Sequence, residues 1–447
     1  MGLGMLRILL GGLALKGIPR VEEIYDTFKN SGLDYEVLGS GWCGSPIYLF
    51  KAGKGSKKIL LIDMVDPDEP VGVLALQLLV TKVFDYEPAL LVRYSWYLIP
   101  VADPCGAQLN EEWFREPYNI KLYLLRRFKI KVVEWKLPGT CNGYVFDKPT
   151  QEALAVKKAI DMIEPDLVVP LHNNDFGGLY FFLSKYIPKL VRELKTVAKE
   201  LGLPLHRGMP EASYLEVFED GFYREPTMCD EYYNCIKHGI DPRACTEGLG
   251  ETIYGYAKRV NPRVFSITCE TPYIYSKVLE DSTPSRTTLG RLYLNMISMV
   301  EPVASRVESV AEKLVPYTDE RCPYLWEVEE YVLGWVSRLR SLKKRVSVSE
   351  EYKREASKAE EFDVIVVRGL WNTLLKLGIV LRFLSKCVRR NGDVDIREVI
   401  TDLTNIFEEF YSKLIHYPIE YIPLEKQVAM QLYTILLTAK YHITATQ

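Results

Sequence analysis

Apolar and polar positions change period repeatedly over the first two thirds of the chain and settle on a helical period in the last third. Arg20 to Ser31 carries Val21, Ile24, Tyr25 and Phe28 on one side of a helix. Two strand-like runs follow, Tyr35 to Leu38 and Pro46 to Lys51, around the turn GSGWCGSP. The run Ile59 to Val65 has the composition of a strand buried on both faces and stops at a proline-punctuated acidic turn containing Asp66 and Glu69. Gly72 to Thr81 reads as a helix through Val73, Leu76, Leu79 and Val80. Leu90 to Val101 reads as a strand ending at Ala102-Asp103-Pro104-Cys105-Gly106.

Asn110 to Val133 has no clean period and is expected to be an insertion near a site. Thr150 to Ile163 is a core-facing helix. Asp166 to Leu171 is a strand ending at His172, with a pocket-wrapping loop expected over the following NNDFGGLYFFLS. Tyr186 to Leu201 is a helix, Glu211 to Asp241 is irregular, and Val264 to Thr268 is a last strand ending at Cys269-Glu270-Thr271-Pro272.

Beyond about Ser285 only helical periods remain, interrupted by Pro302, Pro316, Pro323 and the turn Asn391-Gly392-Asp393. Ser347 followed by Glu350 predicts a capping box that opens a long helix. Val364 to Leu384 is the longest apolar stretch but carries Arg368, Lys376 and Arg382; Arg368, Asn372 and Lys376 recur every fourth residue as a narrow polar stripe, and that spacing predicts a mostly buried helix rather than a membrane span. The expected organisation is an amino-terminal segment (1–34), an α/β domain (35–288) and a helical carboxyl-terminal domain (289–447), the last a surface for docking or homo-oligomerisation.

With 447 residues, 48% of them apolar and 26% charged, the chain can bury a large core in more than one domain. Its net charge of −3 supplies no basic footprint for a nucleic acid. The basic runs Lys343-Lys344-Arg345 and Arg389-Arg390 read as solvated helix ends. The apolar run Ile8 to Leu15 is short and lacks a small-residue cleavage site, so a cytoplasmic protein without a membrane association is expected. Nine cysteines occur without a CxxC pair. Cys229, Cys235, His238 and Cys245 lie close enough in sequence for a disulfide or a closed metal site, but buried or free thiols are the favoured expectation.

Chemistry concentrates where three apolar strands end: Asp66 with Glu69, then His172, then Glu270. One imidazole and two carboxylates can hold a divalent ion with a position open to water, and a further carboxylate can take the water's proton and pass it to a leaving amine. That combination hydrolyses amides.

The order of these features resembles the zinc carboxypeptidases, the M14 metallopeptidase family. The family's first strand ends in a His-x-x-Glu pair followed by Pro and Gly, as Asp66, Glu69, Pro70 and Gly72 do here. Its Asn-Pro-Asp-Gly turn with a following Leu-Asn is similar to Asp103-Pro104-Cys105-Gly106 and Leu109-Asn110. Its third ligand closes a strand written Pro-Asp-Leu-x-x-x-x-His, here Pro165 to His172, and its catalytic Glu sits on the last strand, as Glu270 does. The hairpin Gly39 to Ile47 is similar to the one that precedes the family's first strand.

The resemblance implies a carboxypeptidase-like mixed sheet flanked by helices, with metal ligands Asp66, Glu69 and His172, Glu270 as general base to a metal-bound water, Asn110 at the substrate, and a peptide or acyl-amino acid as substrate. Two positions depart from the pattern. Asp66 replaces a His, which lowers the charge of the metal centre and lets Mn²⁺ compete with Zn²⁺. The family's carboxylate-gripping Asn-Arg pair reads Asn110-Glu111, leaving Arg115 as a substitute guanidinium. The expected activity is a zinc-dependent carboxypeptidase-type hydrolase; the alternatives are a deacylase of N-acyl amino acids and a catalytically impaired binding or assembly module.

Overall fold

The computed structural model describes residue 15 and residues 17–208, 211–212, 214–388 and 396–444. Of the amino-terminal apolar run only Leu15 falls within them, and Arg389-Arg390 and the Asn391-Gly392-Asp393 turn lie outside. Contacts divide the chain into one unit of Met1–Arg115, Lys131–Tyr273 and Ile422–Gln447, and a second of Glu116–Ile130 and Ile274–Tyr421.

The first unit is built on a mixed sheet. Its strands are β1 (Asp34–Ser40), β2 (Pro46–Ala52), β3 (Lys57–Ile62), β4 (Tyr94–Ile99), β5 (Leu167–Phe176), β6 (Tyr180–Leu183), β7 (Val217–Glu219), β8 (Phe222–Arg224) and β9 (Phe265–Tyr275). They lie in the order β1-β2-β4-β3-β5-β9-β6-β8-β7. β3 runs parallel to both β4 and β5, whereas β1, β2 and β4 pair antiparallel, as do β9 and β6. Ile59, Leu60, Leu61 and Ile62 are completely buried, as a central strand covered on both faces requires.

The helices of this unit are α1 (Val21–Asn30), α2 (Val71–Leu78), α3 (Pro104–Phe114), α4 (Gln151–Ile163), α5 (Pro188–Leu201) and α6 (Ile253–Val260). Thr150 caps α4 by accepting from Ala153 N–H. The second unit is helical, with α7 (Leu289–Leu314), α8 (Trp335–Val348), α9 (Asn372–Lys386) and α10 (Ile396–Leu414). The chain then returns to the first unit as α11 (Leu424–Thr444), whose Tyr433, Ile435 and Ala439 are buried. In the second unit the buried Arg382 donates to both carboxylate oxygens of Glu327 at 3.0 and 2.9 Å and to the Leu125 carbonyl at 3.0 Å, while Glu327 also accepts from Lys129 N–H. That network fastens residues 116–130 to the helices around them. Lys358–Lys386 is long and apolar enough to cross a membrane by length and composition, and two thirds of its most apolar window is buried.

Several expectations are corrected. Strand structure begins at Tyr94, not Leu90, because Ala89–Arg93 coils into a helical turn started by Pro88. β5 and β9 run through His172 and Glu270 instead of stopping at them, and the loop expected after His172 is strand up to Phe176 and again from Tyr180. The irregular stretch from Glu211 contains β7, β8 and a helix, Met228–Lys237. Ser347 lies in the last turn of α8; the capping box belongs to Ser357 and Glu360, which open the long helix ten residues later in sequence. The carboxyl-terminal region also contains short strands among its described residues: Pro284–Thr288 pairs antiparallel with the sequence-distant Glu355–Ser357, and Glu420–Tyr421 pairs with the end of β9. The cysteines are mostly not free thiols: Cys43–Cys105, Cys141–Cys229 and Cys322–Cys387 are disulfides, and Cys235 is also disulfide-bonded.

Candidate metal centre

β3 delivers the chain into the turn from Asp63 to Pro70. Met64 there has φ +50°, a left-handed conformation that costs a non-glycine residue of order 1 kcal/mol. The turn is held by its neighbour: Asp63 and Met64 carbonyls accept from Ala102 and Asp103 N–H, both at 3.0 Å. Gly106 lets α3 close on it, since a Cβ at that position would stand 2.6 Å from the Pro67 side chain. Gly72 is required on the other side, where a Cβ would collide with the Asp63 carboxyl and lie 2.6 Å from Leu171 Cβ.

The turn presents Asp66 and Glu69 beside His172 of β5. Their ligand atoms all lie within 4.8 Å of one another, and all three residues are buried. Glu69 Oε2 is 2.7 Å from His172 Nδ1 and accepts from Asn173 N–H at 3.1 Å. Glu270 Oε1, from β9, lies 3.8 Å from the same ring nitrogen. Burial alone would lower the His172 pKa, but Glu270, Glu69 and Asp66 surround the ring and together hold it well above the ordinary imidazole value. Asp63, fully buried below the turn, is pushed well up by desolvation.

Carboxylates crowd this site and one imidazole is their nearest counter-charge, so a divalent cation fits its electrostatics. It also fits the donor set. Bonds of about 2.1 Å in a tetrahedron place donors roughly 3.4 Å apart, between the 2.7 Å of the Glu69–His172 pair and the 4.8 Å within which all three lie.

The sequence-predicted residues divide into two groups. Asp66, Glu69, His172 and Glu270 come together. Asn110 is fully buried, its Nδ2 donating to the carbonyls of Pro67 and Gly106 at 3.1 and 3.0 Å and its Oδ1 accepting from Trp113 Nε1 at 2.7 Å, so it braces the turn that carries the ligands. Arg115 stands at the end of α3, more than half exposed, with its guanidinium 3.8 Å from Glu23.

Other residues important to the site escaped the sequence reading. Asn173 ties three segments together: its Oδ1 accepts from Val71 N–H, and its Nδ2 donates to Thr271 Oγ1 at 2.5 Å and to Gln427 Oε1 at 3.4 Å. Gln431, one helical turn beyond Gln427 on α11, donates to the His172 and Cys269 carbonyls. The spacing of two glutamines four apart in an apolar helix was the available signal. Tyr273 donates to the Asp68 carbonyl at 3.1 Å, and Tyr180, the cross-strand partner of Glu270, donates to Glu211 at 3.0 Å.

No protein-family model matches the chain. A ferrochelatase from Vibrio parahaemolyticus is 22% identical over 204 residues, 44% of this chain and 63% of that protein, so the match spans less than two thirds of the relative's length. Among solved structures, a provisionally assigned metallopeptidase from Shewanella amazonensis is similar with TM-score 0.40 and 13% identity, over 56% of this chain and 84% of that one. Carboxypeptidase A from Helicoverpa armigera is similar with TM-score 0.37 and 13% identity, over 61% and 71%. A metallo-carboxypeptidase from Pseudomonas aeruginosa is similar with TM-score 0.33 and 16% identity, over 56% and 60%. Similarity of this extent leaves function to be argued from the residues of this chain.

Proposed function

We propose that the protein is a metal-dependent amide hydrolase of metallocarboxypeptidase type, acting on a peptide or an N-acyl amino acid. The observation that carries this reading is the convergence of Asp66, Glu69 and His172 within 4.8 Å, with the Glu270 carboxyl beside them. Those three side chains would hold the ion, Zn²⁺ or, given two carboxylates, Mn²⁺. Once bound, a divalent ion supplies an acidified water and polarises the scissile carbonyl.

The remaining chemistry belongs to the protein. Glu270 is the residue whose carboxylate takes the proton of the attacking water and returns it to the leaving nitrogen. Its burial among β-strand residues restricts bulk water around that proton. Asn173 and Gln431 fix the backbone on either side of the two functional side chains, so His172 and Glu270 keep their separation without a substrate to hold them. Asn110 acts on the ligand-bearing turn, a positioning role in place of the substrate contact expected from sequence.

The test is hydrolysis of a panel of N-acyl amino acids and short peptides by the full chain loaded with zinc or manganese. Activity that disappears in Glu270→Gln while metal uptake persists supports the reading. An inert Zn- or Mn-loaded protein favours the binding-module alternative.

A further inference from the structure

Asp103, Cys105 and Glu152 form a second group of buried donors, with their ligand atoms all within 4.8 Å of one another. Asp103 and Cys105 open α3, and Glu152 lies in the first turn of α4. The turn between β1 and β2 closes over them. Its Gly41 makes room for two of the donors, since a Cβ there would stand 2.7 Å from Cys105 Sγ and 3.0 Å from Glu152 Oε1. Each donor residue also faces a backbone N–H: Trp42 donates to Glu152 Oε1 at 2.7 Å, Cys43 to Cys105 Sγ at 3.0 Å and Gly106 to Asp103 Oδ1 at 2.9 Å. Asp103 is completely buried, and its Oδ2 has no hydrogen-bond partner. Cys43, exposed on the same turn, is joined to Cys105 as a disulfide.

The thiolate is the form of cysteine that ligates a metal, so this donor set is complete only when the disulfide is open. We propose that Cys43, Cys105, Asp103 and Glu152 form a second, redox-gated metal site that takes zinc or a cation of similar softness. When oxidised, the disulfide fastens the β1–β2 turn to α3; when reduced, the metal does. In the opening step a dithiol attacks the exposed Cys43 sulfur and Cys105 leaves as thiolate. The dithiol gives up two electrons and two protons, departing as its own disulfide, and two cysteine thiols remain. Metal binding then forms two metal–sulfur bonds and releases the two thiol protons. Two thiolates and two carboxylates supply the four ligands of a closed tetrahedral site, and the sulfurs favour zinc over magnesium, calcium or manganese. The excess negative charge is offset by the three N–H donors and by the amino-terminal end of α3. None of the four residues belongs to the centre of Asp66, Glu69 and His172, so the inference stands apart from the hydrolase reading.

The test uses Co²⁺ in place of zinc, because a thiolate-to-cobalt charge-transfer band marks sulfur ligation and the sulfur-free first centre cannot produce one. The full chain is titrated before and after reduction with dithiothreitol and desalting without oxygen. The oxidised chain should show no such band, and the reduced chain should develop it with one cobalt per chain. The band should vanish in Cys105→Ser and need about tenfold or more cobalt in Asp103→Asn and Glu152→Gln. Reduction opens the other disulfides too, so the site is located in the wild-type chain by alkylation with iodoacetamide and mass spectrometry: cobalt should shield Cys43 and Cys105, and a chelator should expose them again. That mapping needs no variant. A reduced chain without the band, a band that survives Cys105→Ser, shielding confined to other cysteines, or a reduced chain that unfolds despite added metal would each overturn the site.

Discussion

Gln431 Nε2 lies 2.7 Å from the carbonyl oxygen of His172, across 259 positions of sequence. The same amide reaches the Cys269 carbonyl at 3.1 Å, next to Glu270. One side chain of the last helix therefore fixes the backbone of two strands that supply the site. Gln431→Leu removes the donor and leaves two buried carbonyls to find others, at a cost of about 1–3 kcal/mol. Its expected signature is a lower unfolding midpoint together with roughly tenfold weaker metal binding, read by thermal denaturation and zinc titration. Unchanged affinity with lowered stability would make Gln431 a purely structural residue.

Stability of the metal-free protein should depend on pH in a defined direction. Burial pushes the Glu225 and Asp103 carboxyls up from the ordinary carboxylate range, each to about 8. At pH 6 the folded state therefore holds protons that the unfolded chain has lost. Their stabilisation is complete below about pH 4 and is lost as pH rises through 8. For Glu225 alone the change is on the order of 5 kcal/mol, so the unfolding midpoint should fall between pH 5 and pH 8.5, less steeply in Glu225→Gln. A midpoint that rises over this range contradicts the assignment.

Lys376 of α9 has the opposite sign. Burial lowers its pKa from 10.5 to about 8, with Arg338 and Arg127 adding to the effect, and its ammonium lies 5.2 Å from the Trp335 ring centre. The folded state is thus penalised while this lysine is charged, and the penalty fades as pH rises through 8 towards 10.5. Lys376→Met keeps the stem packed and should stabilise the protein by roughly 1–2 kcal/mol at pH 7, with the gain vanishing near pH 10.5. Denaturant unfolding at the two pH values measures it.

Gly72→Ala tests the packing beneath the site. The new methyl group would strike the Asp63 carboxyl and stand 2.6 Å from Leu171 Cβ, next to His172. A loss of about 2–3 kcal/mol and at least tenfold weaker metal binding are expected. Near-wild-type behaviour would mean that the Asp63–Gly72 turn is much softer than its contacts indicate.

What the sequence reveals about this molecule follows the reach of its interactions. The buried strand Ile59–Ile62, the helix capped by Thr150 and the four converging polar residues are legible because apolar runs and caps act locally. His172 and Glu270 are placed mid-strand because their polar continuations are stabilised from afar. Asn173 looks like a turn residue by itself, yet in the fold its amide is absorbed by Val71, Thr271 and Gln427. Glu134 follows a stretch without period, and its Oε1 accepts from Ile253 N–H, which only the fold brings near. Asn110 was legible as part of the site but not in its role, since both sides of its amide bind the protein itself.

The most direct measurement is titration of the full, metal-stripped chain with Zn²⁺, monitored by calorimetry and by elemental analysis after dialysis. The account predicts one equivalent bound at micromolar or tighter affinity, abolished in Asp66→Ala and His172→Ala and retained in Glu270→Gln. A folded wild-type chain that takes up neither Zn²⁺ nor Mn²⁺, or binds them equally well after Asp66 and His172 are replaced, would contradict it.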